Sequence, residues 1–239
     1  MWRPVNSWLD PGLALPAPTL PPSEAVSQPD GAIGMFDRRY LALRGAQTAK
    51  ADEGAVFDDH LFACFLAIGL AEEAAGVASL TDALGLSGGE LARLLASRFP
   101  LGALPFPLWR SGEPVLADEE ALLRDLLLAN RARTDESSTW LVAILARRAM
   151  RDDHLWQDLG LSNRAELGRL LARHFPELHA GNVNNMRWKK FFYRQICELE
   201  GFSLCAAPHC SVCADFASCF GDEDGMSRLA AAGRDPKAD

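Results

Sequence analysis

Residues 84–100, LGLSGGELARLLASRFP, recur with few changes at residues 159–176 as LGLSNRAELGRLLARHFP. The second copy has one inserted residue, and both copies end in Phe-Pro. The apolar residues of each copy keep the i, i+3, i+4 spacing of a single buried helical face. The chain therefore contains a repeated helical unit, whose matching core positions are Leu91, Leu94, Leu95 and Phe99 in the first copy and Leu167, Leu170, Leu171 and Phe175 in the second.

Each copy also carries a signal for the start of its helix. Ser87 and Glu90 fit a capping box, and the insertion moves this role to Asn163 and Glu166 in the second copy. The proline after each phenylalanine is expected to end the helix. An apolar helix is predicted before each unit, at residues 61–71 and 140–150, so two helical hairpins are expected to pack on each other.

Helical periodicity continues through the rest of the chain, and no clear strand is predicted. Asp118 is expected to cap the fourth helix, with a buried stripe of Leu122, Leu123, Leu126 and Leu127. Helices are predicted at residues 36–49, 58–75, 88–98, 119–131, 138–150, 164–174 and 185–199. The predicted fold is all-α, a compact bundle of about seven helices with an internal helical-hairpin repeat and a C-terminal cysteine-rich cluster loop.

Four regions are predicted along the chain. Residues 1–30 hold seven of the fourteen prolines and are expected to form a disordered leader. Residues 31–183 are the helical body with the two related hairpins, and residues 184–221 are a basic helix and the cysteine loop. Residues 222–239 are expected to be a flexible tail.

Charge and hydropathy exclude some classes of protein. The net charge of −8 over 239 residues argues against binding nucleic acid or a membrane surface through overall charge. The longest apolar run, residues 61–71, is far shorter than the ~20 residues that span a bilayer. Prolines interrupt the apolar stretches near the N-terminus, so no secretory signal is predicted and a cytoplasmic location is expected.

Four of the six cysteines fall within residues 205–219 with the spacing C-x4-C-x2-C-x5-C. Clustered thiolates bind zinc or iron-sulfur clusters, and disulfides are rare in the cytosol. Structural zinc usually uses two close cysteine pairs, whereas the first three positions here repeat a run found in plant-type ferredoxins. The spacing favours an iron-sulfur cluster and leaves zinc as the alternative, with the ligands Cys205, Cys210, Cys213 and Cys219.

Three neighbours of this motif have an undecided role. His209 and Asp215 are hydrogen-bond donors beside the ligands, an extra hard ligand, or ordinary surface residues. Cys197 is a spare ligand, a sulfur near the cluster, or a buried thiol of an amphipathic helix. Cys64, within an apolar helix, is expected to belong to the core.

The helix predicted before the cysteine loop concentrates positive charge. Arg187, Lys190 and Arg194 form a stripe at i, i+3, i+7, and Lys189 lies beside them. The stripe is either a solvated face or a docking point for an anion, such as an oxyanion, a thiolate-ligated cluster or an acidic partner. Asn184 is expected to cap this helix, whose apolar face is Trp188, Phe191, Phe192, Ile196 and Leu199.

A helix, a turn with glycine and a second helix also describe a DNA-reading helix-turn-helix. The second helix of each repeat has only two or three basic residues in an acidic chain, which argues against DNA readout. Motifs for a catalytic triad, a phosphate-binding loop or a zinc protease are absent from the sequence. Catalysis by side chains alone is therefore not expected.

Several stretches of the second half occur together: RRAMRDDHLWQDLGL at residues 147–161, HFP at 174–176, NMRWKKFFYR at 185–194, and the cysteine motif. With them the chain resembles the NifQ family of nitrogen-fixation proteins. The resemblance is strong from about residue 140 to residue 221 and looser before it. It implies that Cys205, Cys210, Cys213 and Cys219 are the metal ligands, because their spacing is the family's motif.

The resemblance also implies a function. It describes an iron-sulfur protein, with a cluster of cubane type, that binds molybdenum and donates it for assembly of the iron-molybdenum cofactor. Such a protein is a carrier and not an enzyme, and its partners are molybdate or another molybdenum donor and the nitrogenase cofactor assembly proteins. Arg187, Lys190 and Arg194 are the candidates for attracting them. The alternatives are an iron-sulfur redox-sensing DNA-binding regulator and a structural zinc module.

Overall fold

The computed structural model describes residues 34–45, 52–100, 112–199, 201 and 219. The predicted leader and tail lie outside these residues. Across the described ranges the chain is all-helical, as predicted, with ten helices and no strand. They are α1 (Met35–Gly45), α2 (Glu53–Ala74), α3 (Leu80–Leu84), α4 (Gly88–Arg98), α5 (Asp118–Ala129), α6 (Glu136–Ala149), α7 (Leu155–Asp158), α8 (Arg164–His174), α9 (Pro176–Gly181) and α10 (Trp188–Leu199).

The repeated sequence forms α4 and α8, whose leucine faces are buried as predicted. Each helix ends at its phenylalanine, where the amides of Phe99 and Phe175 donate to Leu95 and Leu171 carbonyls over 2.8 Å. Leu95 is only partly buried. The other predicted core positions of both copies are buried: Leu91, Leu94, Phe99, Leu167, Leu170, Leu171 and Phe175.

Three helices were not predicted, because four to six residues are too few to show periodicity. Two of them, α3 and α7, stand at equivalent places before Gly85 and Gly160. Both glycines are left-handed, with φ of 64° and 70°, and a Cβ on Gly160 would lie 2.9 Å from the Phe36 ring. The repeat therefore includes a short helix and a glycine turn before each long helix.

The two repeat helices begin differently. In the first copy the capping box is confirmed: the Ser87 hydroxyl accepts from the Glu90 amide, and the Glu90 carboxylate accepts from the Ser87 amide over 2.8 Å. In the second copy Asn163 accepts from the Glu166 amide over 2.9 Å. The Glu166 carboxylate, however, accepts from the Ser162 amide over 2.7 Å, one residue earlier than a capping box requires.

Two predictions for α5 were wrong. Asp118 does not cap the helix; it is the first helical residue, and Ala117 before it makes no side-chain cap. A carboxylate inside the first turn still faces the positive end of the helix, which suits its charge. Leu122 is 40% exposed because the buried face of α5 is centred on Leu123, Leu126 and Leu127.

The helix α2 lies in the core and carries the predicted apolar run. Cys64, in its middle, is fully buried as predicted. Among the described residues α2 is the one helix with the length and composition to cross a membrane, but 72% of the stretch concerned is buried inside the protein. The core helix of a globular protein has the same length and composition, so these properties do not indicate that α2 spans a membrane.

Candidate metal centre at helix α10

Of the four motif cysteines, Cys219 is described, and Cys205, Cys210 and Cys213 lie outside the described residues, as do His209 and Asp215. Cys219 is partly buried and packs against the hydrophobic core. Cys197, on α10, is also partly buried. In the part of the chain that the structure describes, no three potential His, Cys, Asp or Glu ligands gather.

The backbone places Cys219 at the start of α10. The amide of Arg187, directly before the helix, donates to the carbonyl of Cys219 over 2.8 Å. The helix has 12 residues, about 18 Å at 1.5 Å per residue. Cys219 therefore lies at the N-terminal end of α10, although it follows this helix in the sequence.

Positive charge gathers at this N-terminal end. A helix N-terminus carries a partial positive charge, because its first amides have no partner within the helix. Arg187 is half-buried there, and Lys190, one turn later, is exposed and makes no ion pair with another described residue. A negatively charged group beside Cys219 would therefore be stabilised.

Lys189 and Arg194 have carboxylate partners. The Lys189 ammonium lies 2.6 Å from Asp158 Oδ2 and also donates to the Arg151 carbonyl, with only 18% of its side chain exposed. Burial raises the pKa of Asp158, and the hydrogen bond from Lys189 opposes that rise. Arg194 Nε lies 2.7 Å from Glu198 Oε1. Lys189 and Arg194 are thus each held by a carboxylate.

The start of α10 differs from the prediction. The Phe191 amide donates to the Arg187 carbonyl over 2.9 Å, so Arg187 occupies the capping position and the predicted Asn184 cap is wrong. The last residue, Leu199, is 73% exposed and not on the buried face. The rest of the predicted apolar face is confirmed: Trp188, Phe191 and Phe192 are buried, and Ile196 packs partly buried against the core.

A tight turn that was not predicted precedes α10. The Asn182 side chain binds both backbone groups of Met186. Its Oδ1 accepts from the Met186 amide and its Nδ2 donates to the Met186 carbonyl, each over 2.8 Å. Asn185 adopts a left-handed conformation with φ of 53°. The three asparagines among residues 182–185 are the signal for this turn, because asparagine tolerates that conformation.

A second polar cluster on α1, α2 and α8 was also missed. His60 lies between the Tyr40 hydroxyl, at 2.8 Å, and the Glu166 carboxylate, at 2.6 Å. Burial alone would raise the pKa of Glu166, but hydrogen bonds from His60 and Ser162 hold it below its usual value. Burial raises the pKa of the Cys64 thiol beside His60, so this cysteine stays protonated.

Comparison with known proteins identifies the family. The NifQ family model matches residues 61–221, a span that contains the whole cysteine motif. The chain belongs to the NifQ family. Membership of the NifQ family makes it a protein of nitrogen fixation and confirms the resemblance that the sequence motifs indicated.

Individual NifQ proteins are similar over most of their length. A NifQ homolog of Sinorhizobium fredii is 51% identical over 172 residues, which are 72% of this chain and 75% of that protein. NifQ of Rhodobacter capsulatus is 44% identical over 167 residues, 70% of this chain and 92% of the relative. NifQ of Azotobacter vinelandii is 40% identical over 160 residues, 62% and 82% respectively. No solved structure matches the chain.

Proposed function

We propose that this NifQ protein binds an iron-sulfur cluster through Cys205, Cys210, Cys213 and Cys219, takes up molybdenum there, and donates it for assembly of the iron-molybdenum cofactor. The observation that carries the proposal is the hydrogen bond from the Arg187 amide to the Cys219 carbonyl. It sets the last motif cysteine at the positive end of α10.

The donor set and its surroundings suit this cargo. Four thiolates from one segment are the ligands that iron-sulfur clusters require, and together they bring negative charge to the site. The N-terminus of α10, with Arg187 and Lys190, supplies positive charge where Cys219 lies. All four thiolates must approach one cluster, so we place the cargo at this end of α10.

The proposed role is that of a carrier in the cytoplasm and not of an enzyme. Molybdate, or another molybdenum donor, delivers the metal, and the nitrogenase cofactor assembly proteins receive it. The exposed Lys190 and its neighbour Arg187 suit attraction of an oxyanion or of an acidic partner surface.

Metal and sulfide analysis of anaerobically purified protein tests the proposal. We expect a coloured protein that contains iron, sulfide and molybdenum, and loss of iron in Cys213→Ala and in Cys219→Ala. Cys197→Ala, outside the motif, is the matched control and should keep its iron. Colourless protein that contains zinc would overturn the cluster. Molybdenum that never passes from the loaded protein to the assembly proteins would overturn the donor role.

A further inference from the structure

Arg164, the first residue of α8, reaches from the repeat body to the turn before α10. One guanidinium nitrogen, Nη2, lies 3.1 Å from the Asn185 carbonyl, 2.9 Å from the Asn185 side-chain oxygen and 2.9 Å from the Met186 carbonyl. The equivalent position in the first repeat is Gly88, directly after the capping Ser87. The second repeat therefore has a contact that the first cannot make.

These contacts hold the backbone on both sides of a left-handed residue. Asn185 has a φ of 53°, a conformation that asparagine tolerates better than most L-residues. Arg164 binds the turn at the carbonyls of Asn185 and Met186, while Asn182 clamps both backbone groups of Met186. The hydrogen bonds from Arg164 and Asn182 together fix the direction of the next amide, that of Arg187.

The Arg187 amide is the one that binds the Cys219 carbonyl. We infer that Arg164, supported by Asn182, is a positioning residue for the metal centre: through the turn before α10 it fixes where Cys219 stands. The inference rests on the proposed function for the role of Cys219 as a ligand. It adds that this ligand is held in place by the helical body before any metal arrives.

The docking of α10 itself does not depend on Arg164. Lys189 ties the helix to Asp158, and the buried rings of Trp188 and Phe192 pack beneath it. Loss of the Arg164 side chain should therefore loosen the turn and the carbonyl contact of Cys219 while α10 remains docked. A change at Cys219 without a change in the docking of α10 would distinguish this role of Arg164 from a general loss of stability.

The test compares Arg164→Met and Arg164→Lys with the wild type in the anaerobic, cluster-loaded protein. Arg169→Met is the matched control: it lies on the same helix, and its guanidinium stacks over the Phe57 ring at 3.9 Å, away from the turn. We expect Arg164→Met to lose iron to a chelator roughly tenfold faster, as for other residues that orient metal ligands. Arg164→Lys, which keeps one donor group, should be intermediate. Equal rates in Arg164→Met and Arg169→Met would overturn the inference.

A second measurement uses the metal-free protein. Iodoacetamide labelling followed by peptide mass spectrometry should show faster modification of Cys219 in Arg164→Met, with Cys197 unchanged as an internal reference. Unchanged labelling of Cys219 would count against the inference, as would equal acceleration at Cys197, which would show general loosening. If wild-type protein binds no iron, the proposed function fails, and this labelling still decides whether Arg164 positions Cys219.

Discussion

Arg98 and His174 occupy the same place in the two repeats and are held by consecutive carboxylates of α2. Arg98 Nη1 lies 2.8 Å from Asp59 Oδ1, and His174 Nε2 lies 2.9 Å from Asp58 Oδ1. Both aspartates are buried. The C-terminal ends of α4 and α8 therefore meet α2 at one point, which anchors both repeats.

This anchor predicts a dependence of stability on pH. Burial alone would raise the pKa of Asp58, but hydrogen bonds from His174 and Arg173 hold it well below its usual value. Because the carboxyl pKa is lower folded than unfolded, its stabilisation is present above about pH 4 and is lost as the pH falls further. Asp58→Asn should unfold more easily at pH 7, by about 2 kcal/mol.

Urea unfolding at several pH values measures this. The stability of Asp58→Asn should also fall less steeply than that of the wild type as the pH is lowered from 5 to 3. Asp125→Asn, at an exposed position of α5, is the control and should follow the wild type. If the stability of Asp58→Asn fell with pH as steeply as that of the wild type, the pH dependence would not come from Asp58.

Equivalent glutamates of the two repeats should differ in their effect on stability. Among the described residues Glu90 binds only within its own helix start, whereas Glu166 also binds His60 on α2 over 2.6 Å. We expect Glu90→Gln to cost about 1 kcal/mol and Glu166→Gln about 2 kcal/mol in the free energy of unfolding. Chemical denaturation of both variants measures these losses. Equal losses would show that the contact with His60 does not contribute to stability.

The buried pair of Lys189 and Asp158 should be strongly coupled. Removal of one partner leaves the other charge buried, so Lys189→Met and Asp158→Asn should each cost about 3 kcal/mol. The double variant should cost clearly less than their sum. The control is the exposed pair on the same helix, Arg194 and Glu198, whose coupling should be about 0.5 kcal/mol. Additive losses at Lys189 and Asp158 would exclude the coupling.

The basic stripe should assist molybdenum loading. The variant with Arg187, Lys190 and Arg194 all changed to Gln keeps the backbone bond of residue 187 but loses three charges. We expect uptake from molybdate at low salt to slow roughly tenfold, with a smaller effect at high salt. Molybdenum bound per chain over time is the measurement.

The control for this prediction removes the same charge elsewhere. Arg93, Arg133 and Arg169 are exposed and lie outside α10, so their triple change to Gln matches the loss of charge. Equal loading rates in the two triple variants would leave the stripe as a solvated face.

The long helices followed from the sequence because their cores repeat at helical spacing over three or more turns. The leucines of α4 and α8 illustrate this, since both copies bury the same positions. Short helices such as α9 carry too few residues for any period to appear. Periodicity also misplaced Leu199, because the last turn of α10 extends beyond the core it would have covered.

The candidate site was predictable only in part. The four cysteines are close in sequence, so their spacing alone indicated a metal site. The contact of Arg164 with Asn185 joins residues of different segments, and no pattern in the sequence indicates that the two meet. Lys189 appeared to belong to a basic face for the same reason, because its partner Asp158 lies in another segment.

The difference between the two helix starts bears on how the chain evolved. If one ancestral hairpin was duplicated, the two copies began with the same helix start. The inserted residue and the arginine at position 164 broke that equivalence, because Gly88 offers no side chain at the matching place. The second copy therefore has, at its first helical residue, a side chain that reaches the turn before α10, and the first copy does not.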